Sequence, residues 1–330
     1  MNLQLSIGLP LNPRNAPVLE GKVQADGIDL VATQILPAEL FWRQLRFADF
    51  DISEMSFSSL LITLARGDDR WIGLPIFSSR RFFHTEMMAR RDAGIEAPAD
   101  LVGKRVGVPE YQQTASLWAR GALQHEFGVD LTGLDYWMER VPDHSHGGAT
   151  GFTPPPGITI HQIPAEKRLD SMILSGELDA LLHYNPKPDL VNRSTVDLRG
   201  HPDIKMLFPD PRAEGIRYYG KTDIYPINHA MVIRREIAEK HPWVVLNIFK
   251  MFERAIAIGE AQRMAHVENH LNAGLISPEV VDNLRKPLFQ HGLKANRTVL
   301  EAAAQYSHEQ GLTPRLMKLD EVFAASTLDQ

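Results

Sequence analysis

The sequence predicts an α/β protein of two lobes, each a mostly parallel sheet flanked by helices, with a cleft between the lobes. Short β-prone segments alternate with amphipathic helical segments, which is typical of βαβ connections. Residues 7–10 (IGLP) and 106–109 (VGVP) form an internal echo, because each is followed by five residues and then an alanine. Residues 50–51 (FD) and 178–179 (LD) form a second echo, since each precedes an apolar segment. Two similar halves that face one cleft account for both echoes.

The first segments alternate between strand and helix. Leu3 to Leu9 alternates apolar and polar residues and predicts a strand, which Pro10 ends because proline has no amide hydrogen to donate. A β-prone segment at 27–31 is followed by a helix at 38–47, whose apolar residues share one side. The next predicted elements are a strand from 52, a helix at 60–65 and a strand at 71–77.

The later segments continue this alternation and end in helices. Residues 227–233 are β-prone, and we expect this strand to return the chain between the lobes, antiparallel to an extended segment at 85–89. Pro242 opens a long amphipathic helix. The other predicted elements are a strand at 104–108, helices at 115–127 and 166–175, a strand that leads to 183–184, and helices at 279–284 and 297–309.

Length and composition limit the domain count and the class of protein. A chain of 330 residues suits one long or two medium domains, and we assign 1–84 with 228–330 to a discontinuous first lobe and 85–227 to a second. The formal charge of −6, without a Lys/Arg cluster, argues against binding to nucleic acid or to an acidic membrane. The absence of cysteine excludes disulfides, thiolate nucleophiles and Cys-based metal clusters.

Targeting and nucleotide-binding motifs are also absent from the sequence. No apolar run reaches the roughly 18 residues of a membrane span, and residues 1–17 lack the pattern of a signal peptide, so we expect a cytoplasmic protein. The sequence has no Walker A loop, no GxGxxG after a strand, no GxSxG elbow and no HExxH. Nucleotide-dependent transfer, serine hydrolysis and metalloprotease chemistry are therefore disfavoured.

Residues 50–60 (FDISEMSFSSL) carry the central feature of the predicted site. They predict a strand, a polar turn and a helix N-terminus. Such a turn lies at the carboxyl end of a strand, where ligands bind in open α/β sheets, and the helix presents unpaired N–H groups to an anion. Glu54 and Ser56 are its candidate site residues, and a plain serine N-cap is the alternative.

Two further polar groups are expected near this turn. Gln112 and Thr114 precede the helix at 115–127, and we expect Thr114 to cap it, which is compatible with an anion at the same N–H groups. The run 78–84 (SSRRFFH) joins cations to apolar residues after a strand. It suggests an anion clamp at the lobe junction, with a solvated basic turn as the alternative.

Histidines occur on strands and in one long loop. His183 and His229 lie where predicted strands reach the cleft, and imidazole suits a general acid near neutral pH, although a structural role stays open for each. His144 and His146 lie in the Gly/Pro-rich loop 143–156 and are separated by one residue, which alone is a weak signal and disfavours a metal site. We expect this loop to be a lid or an oligomer contact.

Four segments in the expected order carry a resemblance to a known family. They are FDISEMSFSSLL (50–61), KRVGVPEYQQTASLWARGAL (104–123), IRRE with the following HPW (233–243) and SHEQGL (307–312). They resemble the 4,5-dihydroxyphthalate decarboxylase family along nearly the whole chain. In the first loop this chain has Pro13-Arg14-Asn15 where the family tends to have Asp-Arg-Thr, so the arginine matches and its neighbours differ.

The resemblance implies a fold like the type II periplasmic binding proteins, used by a cytoplasmic, homo-oligomeric enzyme of phthalate degradation and aromatic catabolism. The implied reaction is the non-oxidative decarboxylation of a hydroxylated aromatic ortho-dicarboxylate, namely 4,5-dihydroxyphthalate to protocatechuate and carbon dioxide. No cofactor and no metal is expected for it.

This chemistry needs protonation of the ring carbon that carries the leaving carboxylate, while a hydroxyl para to it gives up its proton. We expect His229 to donate the first proton, with His183 as the second choice, and Glu54 to take the phenolic proton or to orient a histidine. Arg14 and Arg80 are the expected carboxylate clamps. The expected polar shell comprises Ser56, Ser79, Gln112, Thr114 and His84, the last of which is also a candidate acid.

Three alternatives stay open. A solute-binding protein for an aromatic acid fits the same fold, but a surplus of titratable groups in the cleft argues for an enzyme. A decarboxylase or lyase of a different ring acid is the second alternative. The third is a metal-dependent enzyme that uses two of His84, His183 and His229 with Glu54, although these residues show no local ligand spacing.

Overall fold

The computed structural model of the chain describes residues 2–285, 287 and 289–330 and contains two β-sheets with helices packed around them. The strands are β1 (Leu3–Leu9), β2 (Ile28–Gln34), β3 (Ile52–Ser56), β4 (Trp71–Arg80), β5 (Met88–Arg90), β6 (Arg105–Val108), β7 (Asp135–Met138), β8 (Ile160–Gln162), β9 (Ala180–Leu181), β10 (Ile204–Met206) and β11 (Ile227–Arg234). The helices are α1 (Ala16–Leu19), α2 (Pro37–Phe47), α3 (Phe57–Ala65), α4 (Thr114–Phe127), α5 (His146–Thr150), α6 (Leu169–Ser175), α7 (Pro211–Thr222), α8 (Arg235–Lys240), α9 (Pro242–Asn272), α10 (Pro278–Leu284), α11 (Arg297–Glu309) and α12 (Leu319–Val322).

Both sheets combine parallel and antiparallel pairs. The first sheet has the order β2-β1-β3-β11-β4, in which β1 lies parallel to β2 and β3, and β11 runs antiparallel to β3 and β4. The second has the order β10-β5-β9-β6-β7-β8, in which β6 to β9 pair in parallel and β5 pairs antiparallel with β9 and β10. The predicted α/β fold with two sheets is confirmed. The lobe boundaries at 84/85 and 227/228 stay a prediction.

The predicted pairing of the return strand is wrong. β11 lies between β3 and β4, with His229 opposite Ser56 and Met231 opposite Glu54. Four consecutive residues of β11, from Ala230 to Ile233, are fully buried, so this strand fills the interior of a sheet. Residues 83–86 instead form a 3₁₀ turn, and the short β5 joins the second sheet.

The internal echo corresponds to the same strand pairing in both sheets. Ile7 and Gly8 of β1 pair with the start of β3, and Val106 and Gly107 of β6 pair with β9 in the same way. Each glycine lets a helical leucine approach its strand, because a Cβ at Gly8 would lie 2.7 Å from Leu40 and one at Gly107 would lie 2.6 Å from Leu169. The echo thus marks two strand pairs that are each covered closely by a helix.

The longest helix, α9, packs beside the first sheet. Val245, Ile248 and Phe252 are buried at helical spacing and contact the apolar residues of β1 and β4 in one hydrophobic cluster. None of the described helices, α9 included, combines the length and the apolar character that crossing a bilayer requires.

Candidate active site

The predicted Glu54 and His229 meet at the carboxyl end of β3. Glu54 Oε1 lies 2.5 Å from His229 Nδ1, and both side chains are buried, with 1% and 8% of each residue exposed. β3 and β11 run antiparallel, so residues 175 positions apart in the chain become neighbours across one pair of strands. A buried carboxylate bound to an imidazole fixes the orientation of the ring and stabilises its charged form.

The surroundings of Glu54 favour the carboxylate. Asn15 Nδ2 donates to Glu54 Oε2 at 2.8 Å. Burial alone would raise the pKa of Glu54, but the hydrogen bond and the charge of His229, with the bond from Asn15, hold it below its ordinary value. Glu54 is therefore an anion that accepts from two sides.

His229 has a contact on each side of its ring. Its Nε2 lies 2.7 Å from Asn228 Nδ2, and the ring packs edge to face on Phe41 at 4.6 Å. Phe41 belongs to α2, so this helix covers the histidine. The arrangement presents one nitrogen to Glu54 and leaves the other in contact with a side-chain amide.

Ser56 and Thr114 join the N-termini of two helices. Their hydroxyl oxygens lie 2.8 Å apart, and Ser58 N of α3 donates to Thr114 Oγ1 at 2.9 Å. The predicted role of Thr114 as the cap of its own helix is wrong: Gln113 is the N-cap of α4, and Thr114 caps α3 from the opposite side. The reason is that the N-terminus of α3 faces α4 closely enough to take its acceptor from there. The plain serine cap is likewise not formed, since the Ser56 side chain makes no capping bond.

A second buried charged cluster lies at the end of β6. Arg140 Nη1 donates to Glu110 Oε2 at 2.7 Å, and Gly147 N donates to Glu110 Oε1 at 2.5 Å. His146 Nδ1 lies 3.6 Å from the same carboxylate. Burial alone would raise the pKa of Glu110, but His146 when it is protonated, the charge of Arg140 and the hydrogen bond from Gly147 N lower it below its ordinary value. Glu110 is therefore a second buried anion.

The two expected arginine clamps differ in how far they are already engaged. Arg14 donates from Nε to Ser78 O at 2.7 Å, its guanidinium lies over the Phe289 ring at 4.3 Å, and in the described structure its hydrogen bonds use Nε alone. Burial lowers the pKa of Arg14, while the charge of Glu54 opposes this shift. Arg80 instead donates to Tyr225 O at 3.2 Å and to Asn296, and burial lowers its pKa to about 10.

The remaining predicted histidines lie apart from Glu54, each beside another acid. His84 Nε2 lies 3.0 Å from Glu214 Oε1, and burial lowers the pKa of His84. His183 Nδ1 lies 3.6 Å from Glu86 Oε2. Only His229 contacts Glu54, and the described residues contain no group of three or more His, Asp and Glu side chains placed to hold a metal ion. The metal alternative that joins these histidines is therefore not assembled.

Two predicted shell residues take different positions. Ser79 lies opposite His229 in the β4 register, so it is next to the site. Gln112 is fully buried and donates from its amide to Glu110, which places it in the second cluster.

Several residues of the two clusters are not predicted from the sequence. They are Asn15, Phe41, Glu110, Arg140 and His146 as a partner of Glu110. Asn15 ends and Glu110 begins the five-residue loops of the internal echo, so the echo marked both positions. Arg140 and His146 carry no comparable signal, because their partners lie about 30 or more residues away.

Comparison with known proteins decides the family. A 4,5-dihydroxyphthalate decarboxylase of Comamonas testosteroni is 32% identical over 334 residues, which cover 99% of this chain and 98% of that protein. One of Pseudomonas putida is 35% identical over 217 residues, which cover 66% of this chain and 81% of that protein. The chain belongs to the 4,5-dihydroxyphthalate decarboxylase family. No family model matches the chain.

Solved structures with the same fold include binding proteins and an enzyme. The alkanesulfonate-binding protein SsuA of Xanthomonas axonopodis pv. citri, bound to MOPS, has a TM-score of 0.56 and 15% identity and covers 98% of this chain and 97% of its own. SsuA of Escherichia coli has a TM-score of 0.57 and 13% identity over both full chains. The desulfurization enzyme DszB has a TM-score of 0.50 and 16% identity, with 99% of this chain and 98% of its own covered. This member of the decarboxylase family therefore has the two-lobed periplasmic-binding-protein fold, as predicted.

Proposed function

We propose that this chain decarboxylates 4,5-dihydroxyphthalate to protocatechuate without a cofactor. The observation that carries the proposal is the buried pair of Glu54 and His229, 2.5 Å apart, in a chain of this family. A buried acid and base, with an arginine whose guanidinium uses only Nε for hydrogen bonds within the described residues, supply what the reaction demands, namely proton donation and binding of a carboxylate.

Arg14 is the proposed clamp for the substrate. Two terminal nitrogens of a guanidinium bind a carboxylate through two parallel hydrogen bonds, and in the described structure Arg14 bonds through Nε alone. Its charge acts on that of Glu54, so the two side chains are close. A carboxylate held there lies near the Glu54 and His229 pair. Arg80 does not enter the proposal, because its donors already bind Tyr225 and Asn296.

His229 is the proposed proton donor. Glu54 stays ionised and accepts from Nδ1 of the ring, while Asn228 Nδ2 donates to Nε2. Nε2 therefore takes up a proton from solvent and leaves Asn228 before it delivers that proton to the ring carbon bearing the leaving carboxylate. The carbon–carboxylate bond then breaks, carbon dioxide leaves and its electron pair restores the aromatic ring. Phe41 beside His229 supplies an apolar wall that weakens the solvation of the departing carboxylate.

The proposal is tested with purified protein and 4,5-dihydroxyphthalate, by following carbon dioxide and protocatechuate. We expect wild-type turnover, and we expect His229→Ala to lower kcat by about 10² to 10⁴-fold. His183→Ala is the matched control, because His183 faces Glu86 instead, and it should keep wild-type kcat. Binding of the acid without any product would favour a solute-binding protein, and turnover of another hydroxylated acid alone would change the substrate.

A cytoplasmic location and assembly as a homo-oligomer complete the proposal. Both follow from the sequence-based expectation for the family. Cell fractionation with an antibody to the chain measures the first, and light scattering after size-exclusion chromatography measures the second. A protein found in the periplasm, or a monomer at micromolar concentration, would contradict them.

A further inference from the structure

His146 is a buried histidine that the proposed reaction has not yet used. It begins α5 in the loop that follows β7, and only 2% of the residue is exposed. Its ring lies edge to face with Phe41 at 5.7 Å, while His229 contacts the same phenylalanine at 4.6 Å. Phe41 therefore contacts two histidines, one on β11 and one on α5.

The hydrogen bonds of His146 define its tautomer. Nε2 lies 3.1 Å from Ala38 O, and a carbonyl oxygen only accepts, so Nε2 carries a hydrogen. In the neutral ring Nδ1 is then an acceptor. This atom is buried, and no described residue forms a hydrogen bond with it. A buried acceptor without a donor is costly, so Nδ1 is a position that a proton from elsewhere would satisfy.

Charged groups on every side bear on that proton. Glu110 after β6 lies 3.6 Å from Nδ1 and favours a charged ring, whereas Arg140 after β7 and His229 on β11 oppose it, and α2 contributes only Ala38 and Phe41. Burial is the largest influence and lowers the pKa of His146. The ring is therefore neutral and has no hydrogen on Nδ1. The Glu110 carboxylate stabilises the cation that forms when Nδ1 takes up a proton.

The contrast with His229 assigns two opposite roles. His229 has its Nδ1 hydrogen fixed by Glu54 and its Nε2 beside the Asn228 amide, so it acts as an acid once Nε2 has taken up a proton, whereas His146 has an unfilled Nδ1, which suits a base. We propose that His146 is a second catalytic histidine, whose Nδ1 accepts the proton of the ring hydroxyl para to the leaving carboxylate. This inference rests on the proposed decarboxylation.

The proton and electron balance of the step closes. The O–H bond breaks and an N–H bond forms at His146 Nδ1, while the oxygen pair becomes a C=O bond and pushes electrons to the para carbon. That carbon forms a C–H bond with a proton that His229 Nε2 has first taken from solvent, and solvent replaces this proton in each turnover. Loss of carbon dioxide returns a pair to the ring, and the oxygen recovers its proton from His146. The net change replaces one carboxylate by hydrogen.

Access to Nδ1 requires the loop to open. Besides His146, the loop is tied to the first sheet's helices by Trp42 Nε1, which donates to Asp143 O at 2.9 Å, and by Arg66, which donates to Thr150 O at 3.1 Å. When these bonds break, the loop moves away and the substrate enters. When the loop closes again, the ring hydroxyl of the substrate takes the position beside His146 Nδ1 that Glu110 occupies in this structure.

The test compares His146→Gln with His144→Gln, a control on the same loop that contacts Trp42. Glutamine keeps an N–H for Ala38 O but accepts no proton at neutral pH. We expect His146→Gln to lower kcat by about 10² to 10⁴-fold with a similar KM, and to recover part of this as pH rises and the hydroxyl ionises unaided. His144→Gln should keep wild-type kcat and pH profile.

Other outcomes overturn the inference in distinguishable ways. A higher KM with unchanged kcat, or an unchanged pH profile, would make His146 a structural latch. If His146→Gln unfolds, His146→Asn with added imidazole replaces it, and failure of imidazole to raise kcat in the folded variant would also overturn the base role. Wild-type protein that releases no carbon dioxide overturns the proposed function first, and this inference with it.

Discussion

The two lobes share a pattern of hydrogen bonds between paired strands, but their buried glutamates lie at different positions in that pattern. Asp51 accepts from Ser6 N of β1 at 2.8 Å, and Asp179 accepts from Arg105 N of β6 at 2.9 Å, so the same aspartate ties the same two strands in each sheet. Three residues after these aspartates, however, the first lobe has Glu54 and the second has the buried Leu182.

The loops after the first strand of each pair show the reverse. Pro109 is followed by the fully buried Glu110, whereas Pro10 is followed by Leu11, which is 60% exposed. The hydrogen bonds that hold the strands are therefore repeated, while the charged groups are not. An internal repeat fixes where side chains emerge and leaves their chemistry free, so the two sheets carry different buried glutamates at their strand ends.

The largest expected effect is a loss of activity, and it distinguishes Glu54 from Glu110. Glu54→Gln keeps the size of the side chain but removes the charge that holds the His229 proton, so we expect kcat to fall by about 10² to 10⁴-fold. The single amide oxygen also leaves either Asn15 or His229 without its acceptor, which costs about 1–3 kcal/mol of unfolding free energy. Steady-state kinetics and urea denaturation measure both quantities. A variant that loses stability but keeps kcat would make Glu54 a structural residue.

The next effect is a loss of unfolding free energy, and it distinguishes Glu110 from Glu54. Glu110→Gln leaves Arg140 buried without a counter-charge, and breaking a buried ion pair costs about 3–5 kcal/mol of unfolding free energy. Glu260→Gln on α9 is the control, since its pair with Arg263 is partly exposed and costs less than about 1 kcal/mol to lose. Equal losses in the two variants, measured by urea denaturation, would contradict the comparison.

A smaller effect tests the contact between α3 and α4 at Thr114. Thr114→Val removes the acceptor for Ser58 N and leaves a buried N–H unpaired, which costs about 1–2 kcal/mol of unfolding free energy. Thr114→Ser restores the hydroxyl and should regain most of this loss. If valine and serine give the same stability, the capping bond contributes nothing measurable.

The smallest effect concerns acid stability. The pKa of Glu110 is lower in the folded protein than its ordinary value of 4.5, so its contribution is complete above that value and is lost as pH falls through the folded pKa. We expect the stability gap between wild type and Glu110→Gln to be wide at pH 7 and to narrow below about pH 4.5. Urea midpoints from about pH 3.5 to about pH 7 measure this gap, and a constant gap would contradict the expectation.

Sequence patterns predict local structure in this chain better than contacts over long distances. The bounds of α11 are predicted to the residue and those of β11 to within one, because hydrophobic periodicity and proline act locally. The strands that pair with β11 are predicted wrongly, since strand pairing depends on how distant buried surfaces pack against one another. Glu54 and His229 are each predicted from their strand ends, but only the fold reveals that they touch.

The engagement of Arg80 and the role of His146 show the same limit. Arg80 attracts attention as a cation among apolar residues, yet Tyr225 and Asn296 bind it, and neither lies near it in sequence. The sequence does not reveal the acid that faces His146, because Glu110 reaches it from the loop after β6. Charge type is thus visible in sequence, while the partner that decides its use is not.

The closed loop over Phe41 bears on how tightly substrate binds. Asp143 and His146 bond to groups of α2, and Thr150 bonds to Arg66 just after α3. In the inferred opening of the loop, these bonds break before the substrate enters. Substrate therefore competes with the protein's own closed form, and its apparent dissociation constant rises in proportion: if about one molecule in ten is open, binding weakens about tenfold. Residues that never touch the substrate thereby help to set the concentration at which the enzyme saturates.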